Sequence, residues 1–351
     1  MNTNYTPSQI LIIRLSSLGD VLFTTPLIRV LKQQYPQSQI HVLTSTRYKE
    51  LLQNNPHLNK VITLENNSGL SQTWSKGRQL RSDKYNVVID LHGSLRSLLI
   101  RRAMKAFRVL TLRKFRLHRA ILILCKRNLY PDDHGMALWM MDATKSLGIE
   151  DDGDGLDLFV NPEIEVQVKN RLTSEMGQGN IIAFAPGARH TTKRWLIEHW
   201  CDLAKTLISQ SDVNILVLGS ADEKSLGDEI IGAIGNRGWN AAGEFNLEET
   251  AAALNYCQLV ISNDSGIMHI AAARKVPVVG IFGPTVRAFG FYPFRVPFRI
   301  VEKSLPCRPC STKGSSLCPL GHFRCMRDIT VDQVFQAYVD IAPPGILIRN
   351  S

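Results

Sequence analysis

The first half of the chain alternates short apolar runs with amphipathic stretches. Residues 10–14 have the length of a buried strand, and residues 20–35 place apolar side chains near helical spacing. Apolar runs at residues 40–43, 61–64 and 86–90 predict three more strands. Because strands alternate with helices, we expect a parallel sheet with helices on both faces.

The second half repeats this alternation after an acidic, glycine-rich stretch at residues 150–155, which predicts a hinge or surface turn. The predicted strands are residues 181–184, 213–218, 259–261 and 276–281, and the predicted helices are residues 200–209, 247–254 and 265–274. The 351 residues exceed one typical domain. We therefore expect an α/β protein with two Rossmann-like domains, residues 1–160 and 161–351, whose parallel sheets face each other across a cleft. An alternative for the final helix is that it packs back on the first domain.

Polar loops follow predicted strands, at the sheet edge where α/β proteins bind ligands. In the loop at residues 15–20, Gly19 precedes Asp20 at the start of a predicted helix. Asp20 either caps that helix or accepts a proton from an incoming hydroxyl. In the loop at residues 185–195, Thr191, Thr192 and Lys193 combine hydroxyls with a cation, which is typical either of a diphosphate site or of a surface loop.

The third loop, at residues 262–269, runs from a strand into a helix through small polar residues. The first N–H groups of such a helix form an anion site. His269 lies one turn beyond Ser265, so both side chains can face a ligand, although a lone histidine is more often structural. Common nucleotide fingerprints are absent: there is no Walker A loop, no G-x-G-x-x-G after a strand and no G-x-S-x-G elbow. This argues against P-loop, simple NAD and hydrolase classes.

Positive charge is concentrated in one part of the chain, which favours an anionic partner. The net charge is +10, and eleven cations without one acid lie between Arg96 and Arg127. The window is either a solvated helix face or a site for phosphates, and we favour phosphates. No secretory signal or run of about 18 apolar residues is visible. We expect a cytoplasmic protein that touches a membrane from that side.

Cysteines form one late cluster and three isolated positions. The cluster has the spacing C-x₂-C-x₇-C-x₆-C with His322 inside, and its members are Cys307, Cys310, Cys318 and Cys325. A structural zinc or iron–sulfur site, reduced thiols and disulfides are the alternatives, and a cytoplasmic location disfavours disulfides. The isolated cysteines are expected to be small buried hydrophobes: Cys125, Cys201 and Cys257.

Several segments together resemble the bacterial heptosyltransferases of lipopolysaccharide core synthesis, glycosyltransferase family 9. They are ILIIRLSSLGDVLFTTPLIRVLKQQYP, DLHGSLRS, FAPGARHTTKRWLIEHWCDLAKTL, VLGSADE and ISNDSGIMHIAAARKVPVVGIFGPT. The cysteine-rich segment is similar to that of heptosyltransferase II-like members. The resemblance implies a GT-B fold, inversion at the anomeric carbon without a metal ion, and ADP-L-glycero-β-D-manno-heptose as donor. The implied acceptor is phosphorylated Kdo-lipid A, or that core already bearing heptose.

The resemblance also implies roles for individual residues. Asp20 matches the general base, Lys193 the lysine that offsets diphosphate charge, and Glu223 the glutamate that contacts ribose. The motif D-S-G-x-x-H, which would hold heptose hydroxyls and phosphates, matches Asp264, Ser265, Gly266 and His269; Thr191 and Thr192 complete the expected donor site. The expected acceptor-binding residues are Ser17, Gly19, His92, Arg96 and Arg119, and further cations of the basic window would face the anionic inner leaflet.

Other classes make different predictions. A nucleic-acid-binding protein would interleave aromatic and basic residues, whereas the basic window offers only Phe107 and Phe115. A sugar-nucleotide sensor without catalysis, or a transferase of a different sugar, would share the same loops. The pattern does not distinguish which heptose position is elongated or the oligomeric state. A substitution of Asp20 distinguishes an enzyme from a sensor, because only an enzyme needs the Asp20 carboxylate for turnover.

Overall fold

A computed structural model of the chain describes residues 6–131, 135–343 and 346. The described residues of 1–114 and 134–159 form a first compact unit, and those of 115–133 and 160–351 form a second. The chain therefore contributes a short segment, residues 115–131, to the second unit before it completes the first. The sequence-based division at residue 160 does not anticipate this exchange.

Each unit is built from short strands and helices. The strands are β1 Gln9–Ile13, β2 Gln39–Ser45, β3 Lys60–Leu64, β4 Val87–Asp90, β5 Val109–Thr111, β6 Asn180–Ala185, β7 Val213–Val217, β8 Gly238–Asn240, β9 Leu259–Asn263, β10 Val278–Phe282 and β11 Phe298–Glu302. The helices are α1 Leu18–Leu22, α2 Thr25–Gln34, α3 Leu70–Leu80, α4 Leu95–Ala103, α5 Arg116–Cys125, α6 Met136–Asp142, α7 Pro162–Met176, α8 Ile197–Gln210, α9 Lys224–Ile234, α10 Leu247–Leu254, α11 Gly266–Ala273, α12 Arg324–Arg327 and α13 Val331–Val339.

The first unit holds a five-stranded sheet in the order β3-β2-β1-β4-β5, and every pairing in it is parallel. Ile12 of β1 lies between Val42 of β2 and Ile89 of β4. The strand order reverses between β1 and β4, so the loops that follow these two strands meet at the carboxyl edge of the sheet. This is the topological switch point, where such sheets bind ligands.

The helix predicted for residues 20–35 is in fact two helices, α1 and α2. Pro26 lies in the first turn of α2 and has no N–H with which to continue a helix from the preceding turn. The Thr25 hydroxyl instead donates to the Leu22 carbonyl oxygen at 2.7 Å. The break separates the short helix that carries Asp20 from the longer one behind it.

The second unit holds a six-stranded sheet in the order β11-β10-β9-β6-β7-β8, again with every pairing parallel. Its switch point lies between β6 and β9. Phe184 of β6 and Trp200 of α8 are fully buried in its core, with ring centroids 4.9 Å apart. The last described helix, α13, packs on α8 and β11 of this same unit. The predicted α/β architecture of two parallel-sheet, Rossmann-like domains is confirmed.

The isolated cysteines differ in burial. Cys257 is buried as expected, and Cys201 is half-buried. The prediction was wrong for Cys125, which is exposed at the end of α5 beside the equally exposed Leu124. Apolar neighbours in sequence therefore did not predict the burial of this side chain correctly. Within the described residues, no helix is long and apolar enough to cross a bilayer.

Candidate functional site

Asp20 lies at the carboxyl end of β1, in the first turn of α1. Its Oδ2 atom accepts hydrogen bonds from the Ser17 backbone N–H at 2.9 Å and the Ser17 hydroxyl at 2.7 Å. These bonds form part of a capping box, so Asp20 does stabilise the start of the helix. Asp20 is only 9% exposed, and Gly19 beside it is buried. Capping fixes where the carboxylate points and leaves further lone pairs on its oxygens.

Arg14 holds the other oxygen of Asp20. The guanidinium forms an ion pair with Asp20 Oδ1 and also donates to the Leu91 carbonyl oxygen, which follows β4. Burial opposes ionisation of Asp20, but the Arg14 charge and the hydrogen bonds from Arg14 and Ser17 outweigh it and hold the pKa of Asp20 below its ordinary value. The carboxylate is therefore ionised at neutral pH. Arg14 was not predicted as a site residue, although a cation ending an apolar run was a usable signal.

His92 lies on the loop after β4, on the other side of the switch point. Asp90 shapes this loop by accepting the backbone N–H of His92 at 3.0 Å and of Gly93 at 2.8 Å. Burial, followed by the charges of Arg14 and Lys114, lowers the pKa of His92 to about 4. His92 is therefore a neutral imidazole at pH 7. His92 lies within electrostatic range of Asp20, since the charges of Asp90 and Asp20 oppose the lowering of its pKa.

The two cations expected to bind acceptor lie in different units. Arg96 is on α4 of the first unit and donates to the Asn66 carbonyl oxygen at 3.0 Å. Arg119 is on α5, which belongs to the second unit. Lys126, just after α5, donates to the carbonyl oxygens of Cys307 at 3.0 Å and Pro309 at 2.8 Å. The basic window is thus divided between two structural units.

In the second unit, Asn263 joins the loops after β6 and β9. Its amide donates to the Pro186 carbonyl oxygen at 2.6 Å, and its Oδ1 accepts the Trp195 backbone N–H at 3.2 Å. Both partners belong to the loop predicted to bind diphosphate. The side chain is fully buried, so these bonds hold the two candidate loops in fixed register. Sequence reasoning placed Asn263 within a polar loop but assigned it no role.

Lys193 and Asp264 meet at this second switch point. The Lys193 ammonium lies 2.7 Å from Asp264 Oδ2, and the two side chains are 14% and 9% exposed. The Thr285 hydroxyl donates to the same carboxylate oxygen at 2.6 Å. The ammonium has three N–H donors, so donors remain for a ligand after it has bound Asp264. Sequence reasoning did not identify Thr285.

The rest of the D-S-G-x-x-H motif surrounds the start of α11. Ser265 is the residue before the helix, and its hydroxyl lies 3.1 Å from that of Ser262. Gly266 is the first helical residue, and His269 is buried one turn later. The first N–H groups of this eight-residue helix, which have no partner within the helix, therefore come directly after Asp264 and Ser265 in sequence.

Glu223 spans the loops after β6 and β7. Its Oε2 accepts the Ser220 N–H at 2.9 Å. A Cβ atom added to Gly187 would lie only 2.0 Å from the carboxyl group of Glu223, so a side chain there would displace it. Glycine at position 187 therefore lets the carboxylate lie against the loop at residues 185–195. This placement is compatible with the predicted contact to a ribose.

The two threonines of the donor loop differ. Thr191 is exposed, whereas Thr192 is 4% exposed. The Thr192 hydroxyl donates to the Ser315 carbonyl oxygen at 2.9 Å and accepts the Ser315 N–H at 2.8 Å. The Thr192 hydroxyl, which was expected to face the donor, is thus bound to a distant part of the chain.

We define residues 307–325 as the cysteine segment. All of its thiols are free, so the structure does not pair them as disulfides. Within residues 6–131, 135–343 and 346, no three or more His, Cys, Asp or Glu side chains are arranged to hold a metal ion. The zinc or iron–sulfur interpretation therefore lacks structural support. Burial raises the pKa of Cys325 to about 11, and burial with the neighbouring Cys307 and Cys318 raises that of Cys310.

Two Rossmann-type parallel sheets with polar loops at their switch points place the protein in the broad class of ligand-binding α/β proteins, many of which bind nucleotides. Comparison with known proteins narrows this class. The sequence profile of glycosyltransferase family 9 (heptosyltransferase) matches residues 73–320. The chain belongs to glycosyltransferase family 9 and is a glycosyltransferase.

Individual relatives agree with this assignment. The chain is 31% identical over 296 residues to lipooligosaccharide heptosyltransferase 2 of Haemophilus influenzae, covering 79% of this chain and 83% of the relative. It is 28% identical to lipopolysaccharide heptosyltransferase 2 of Salmonella typhimurium, covering 97% and 96%. The solved structure of E. coli ADP-heptose lipopolysaccharide heptosyltransferase II matches with a TM-score of 0.73 at 25% identity, covering 95% and 98%. The predicted GT-B fold class agrees with this likeness.

Proposed function

We propose that the protein transfers heptose from ADP-L-glycero-β-D-manno-heptose to the inner core of lipopolysaccharide, with inversion at the anomeric carbon. The acceptor would be phosphorylated Kdo-lipid A or the same core already bearing one heptose. Two heptosyltransferase 2 relatives and a solved heptosyltransferase II described with ADP-heptose support this donor and acceptor class. The loops at both switch points supply the groups that such a reaction needs.

The observation that carries the proposal is the ionised, buried and fixed carboxylate of Asp20. As an acceptor hydroxyl oxygen bonds to the anomeric carbon, the hydroxyl proton passes to Asp20, and the bond from that carbon to the diphosphate oxygen breaks. ADP leaves with the bonding electron pair. The hydrogen bonds from Ser17 keep the carboxylate oriented, while Ser17, Gly19 and His92 would line the acceptor side.

On the donor side, Lys193 would offset the charge that grows on the diphosphate as ADP departs. Asp264 holds the ammonium in place, and the start of α11, with Ser265, Gly266 and His269, would bind heptose hydroxyls and phosphates. Thr191 and Thr192 would border the diphosphate, and Glu223 would contact the ribose. Because protein cations stabilise the leaving group, we propose that transfer needs no metal ion, and EDTA should leave the rate unchanged.

Arg96 and Arg119 would bind phosphates and Kdo carboxylates of the acceptor. Other cations of the basic window would hold the protein at the inner face of the cytoplasmic membrane, where anionic lipids attract Lys and Arg. Binding to vesicles that contain anionic lipid, compared with neutral vesicles, tests this localisation. Equal binding to both kinds of vesicle would contradict the proposed membrane localisation.

The direct test incubates the purified protein with ADP-heptose and defined Kdo-lipid A acceptors, with and without a first heptose, and follows the products by mass spectrometry. We expect one heptose to be added to one of these acceptors, with release of ADP. Hydrolysis of ADP-heptose without a glycosylated product, or no reaction with either acceptor, would contradict the proposal.

A further inference from the structure

The cysteine segment packs directly on the loop that carries Lys193. Ser315 exchanges two bonds with the Thr192 hydroxyl, and its carbonyl oxygen also accepts the Thr192 backbone N–H at 3.1 Å. Thr192 is buried, so these bonds are shielded from water and restrain both partners. The residue before Lys193 is therefore fixed by a segment 123 positions away in sequence.

Gly314 touches the stem of Lys193 itself. A Cβ atom added to Gly314 would lie 2.9 Å from Lys193 Cγ, 3.1 Å from Lys193 Cδ and 2.9 Å from His190 Cβ. Gly314 also has φ of +86°, a region that favours glycine. Any other residue at this position would push against the lysine stem. The glycine thus allows the cysteine segment to set the path of the Lys193 side chain.

The start of the same segment holds the partner of Lys193. Arg308 donates to the Thr285 carbonyl oxygen at 2.7 Å, and its side chain is only 6% exposed. Thr285 in turn donates through its hydroxyl to Asp264, which forms the ion pair with Lys193. The segment therefore contacts the lysine on one side and supports its carboxylate partner on the other.

Lys313 brings a further cation to this place. Burial lowers the pKa of His190, and the charges of three neighbouring cations lower it further: Arg189, Lys193 and Lys313. Lys313 is exposed and immediately precedes Gly314, whose added Cβ would lie 2.9 Å from both His190 Cβ and Lys193 Cγ, so the backbone of Lys313 lies next to the Lys193 loop. Its ammonium thus adds to the positive potential around the Lys193 loop, where an anion with several charges would gain most.

We propose that the cysteine segment is part of the donor site: Gly314 and Ser315 position Lys193, and Lys313 contributes a further cation to the binding of a nucleoside diphosphate. This inference rests on the proposed function, because it takes the Lys193 loop as the diphosphate site. It gives the segment a role that needs neither a metal ion nor a disulfide. Lys313 contacts the ligand, whereas Gly314 acts only through Lys193.

The test of positioning compares Gly314→Ala with Gly321→Ala, using ADP binding measured by calorimetry. Gly321 lies in the same segment and has φ of +69°, but nothing lies within 4 Å of its added Cβ. Both variants carry backbone strain, and only the first presses on Lys193. We expect Gly314→Ala to weaken ADP binding by about tenfold or more, while Gly321→Ala stays near wild type. Equal affinities in the two variants, at similar thermal stability, would overturn the positioning role.

The test of the added cation uses Lys313→Ala, which removes an exposed side chain and keeps the backbone bond to Ser311, with Lys205→Ala on the surface of α8 as control. We expect Lys313→Ala to raise the donor KM by about threefold to fivefold with little change in kcat, and the loss to shrink at high salt. No difference from Lys205→Ala would remove Lys313 from the site. If wild-type protein fails to bind ADP, the proposed donor is wrong and the inference fails with it. If wild type binds and the variants match their controls, only the inference fails.

Discussion

In the first unit a buried arginine holds a carboxylate, and in the second unit a buried carboxylate holds a lysine. Each ion pair lies at the switch point of a parallel sheet, where two strand-ending loops adjoin. The polarity of the two pairs is opposite, and so are the proposed tasks: Asp20 would accept a proton, and Lys193 would face a diphosphate. Arg14 holds the pKa of Asp20 below its ordinary value, and Asp264 fixes the direction of the Lys193 side chain.

The largest effect should come from removing the carboxylate that is proposed to accept the proton. Asp20→Asn keeps the size of the side chain but cannot act as a base, so we expect transfer to fall by about 10²–10⁴-fold. Product formation measured by mass spectrometry checks this. Asp142→Asn, which neutralises a half-exposed carboxylate of the same unit that pairs with Lys145, should retain wild-type activity. Substantial turnover by Asp20→Asn would contradict the proposed role of Asp20 as the base, and with it the difference in role between the two ion pairs.

The second effect concerns the cation of the second unit. Lys193→Ala removes the diphosphate partner and leaves the Asp264 carboxylate to repel the donor, so donor affinity should fall by about 10–100-fold. Steady-state kinetics with varied ADP-heptose measures this change. The double variant Lys193→Ala/Asp264→Asn should recover part of the loss, because the repulsion is then gone. Independent, additive losses would show that the two residues do not act as a pair.

The third prediction addresses what Arg14 does for Asp20. Without the arginine, burial raises the pKa of Asp20, so Arg14→Gln should move the acid limb of the pH–rate profile upward, and Arg14→Lys should move it less. The pair stabilises the fold above the ordinary Asp pKa of about 4, and this contribution is lost as the pH falls through the lowered pKa. At pH 7, Arg14→Gln should cost about 3–5 kcal/mol in denaturant unfolding. An unchanged acid limb would mean that Asp20 does not control the rate.

The smallest effect should come from the acceptor cations. Arg96→Ala and Arg119→Ala should each raise the acceptor KM by about fivefold, equivalent to about 1 kcal/mol near an anionic surface, and change the donor KM less. Steady-state titrations of both substrates give the comparison. Equal changes in the two constants would argue that these cations act on the fold and not on the acceptor.

The sheets and their strand-ending loops were predictable because buried parallel strands appear as short apolar runs and because ligands bind where such strands end. Asp20, Lys193 and the D-S-G-x-x-H motif were predicted as site residues because they lie in such loops. The ion-pair partners were harder to predict. Arg14 ends an apolar run and could have been suspected, but its distance from Asp20 depends on the turn of α1. Periodicity carries no information on that turn.

Long-range contacts were not predictable from local pattern. The bonds between Thr192 and Ser315 join positions 123 residues apart, and nothing in either segment indicates the other. The assignment of residues 115–131 to the second unit has the same origin, since α5 is held there by contacts such as those of Lys126 with the cysteine segment. Cys125, at the end of this segment, is exposed although its neighbours in sequence are apolar.

The central claim is that Asp20 acts in proton transfer and Lys193 in donor binding. It is tested most directly by measuring ADP affinity by calorimetry in Asp20→Asn and Lys193→Ala. We predict that Asp20→Asn binds ADP as tightly as wild type although it forms almost no product, and that Lys193→Ala binds ADP about 10–100-fold more weakly. Loss of ADP affinity in Asp20→Asn, or undiminished affinity in Lys193→Ala, would contradict the account.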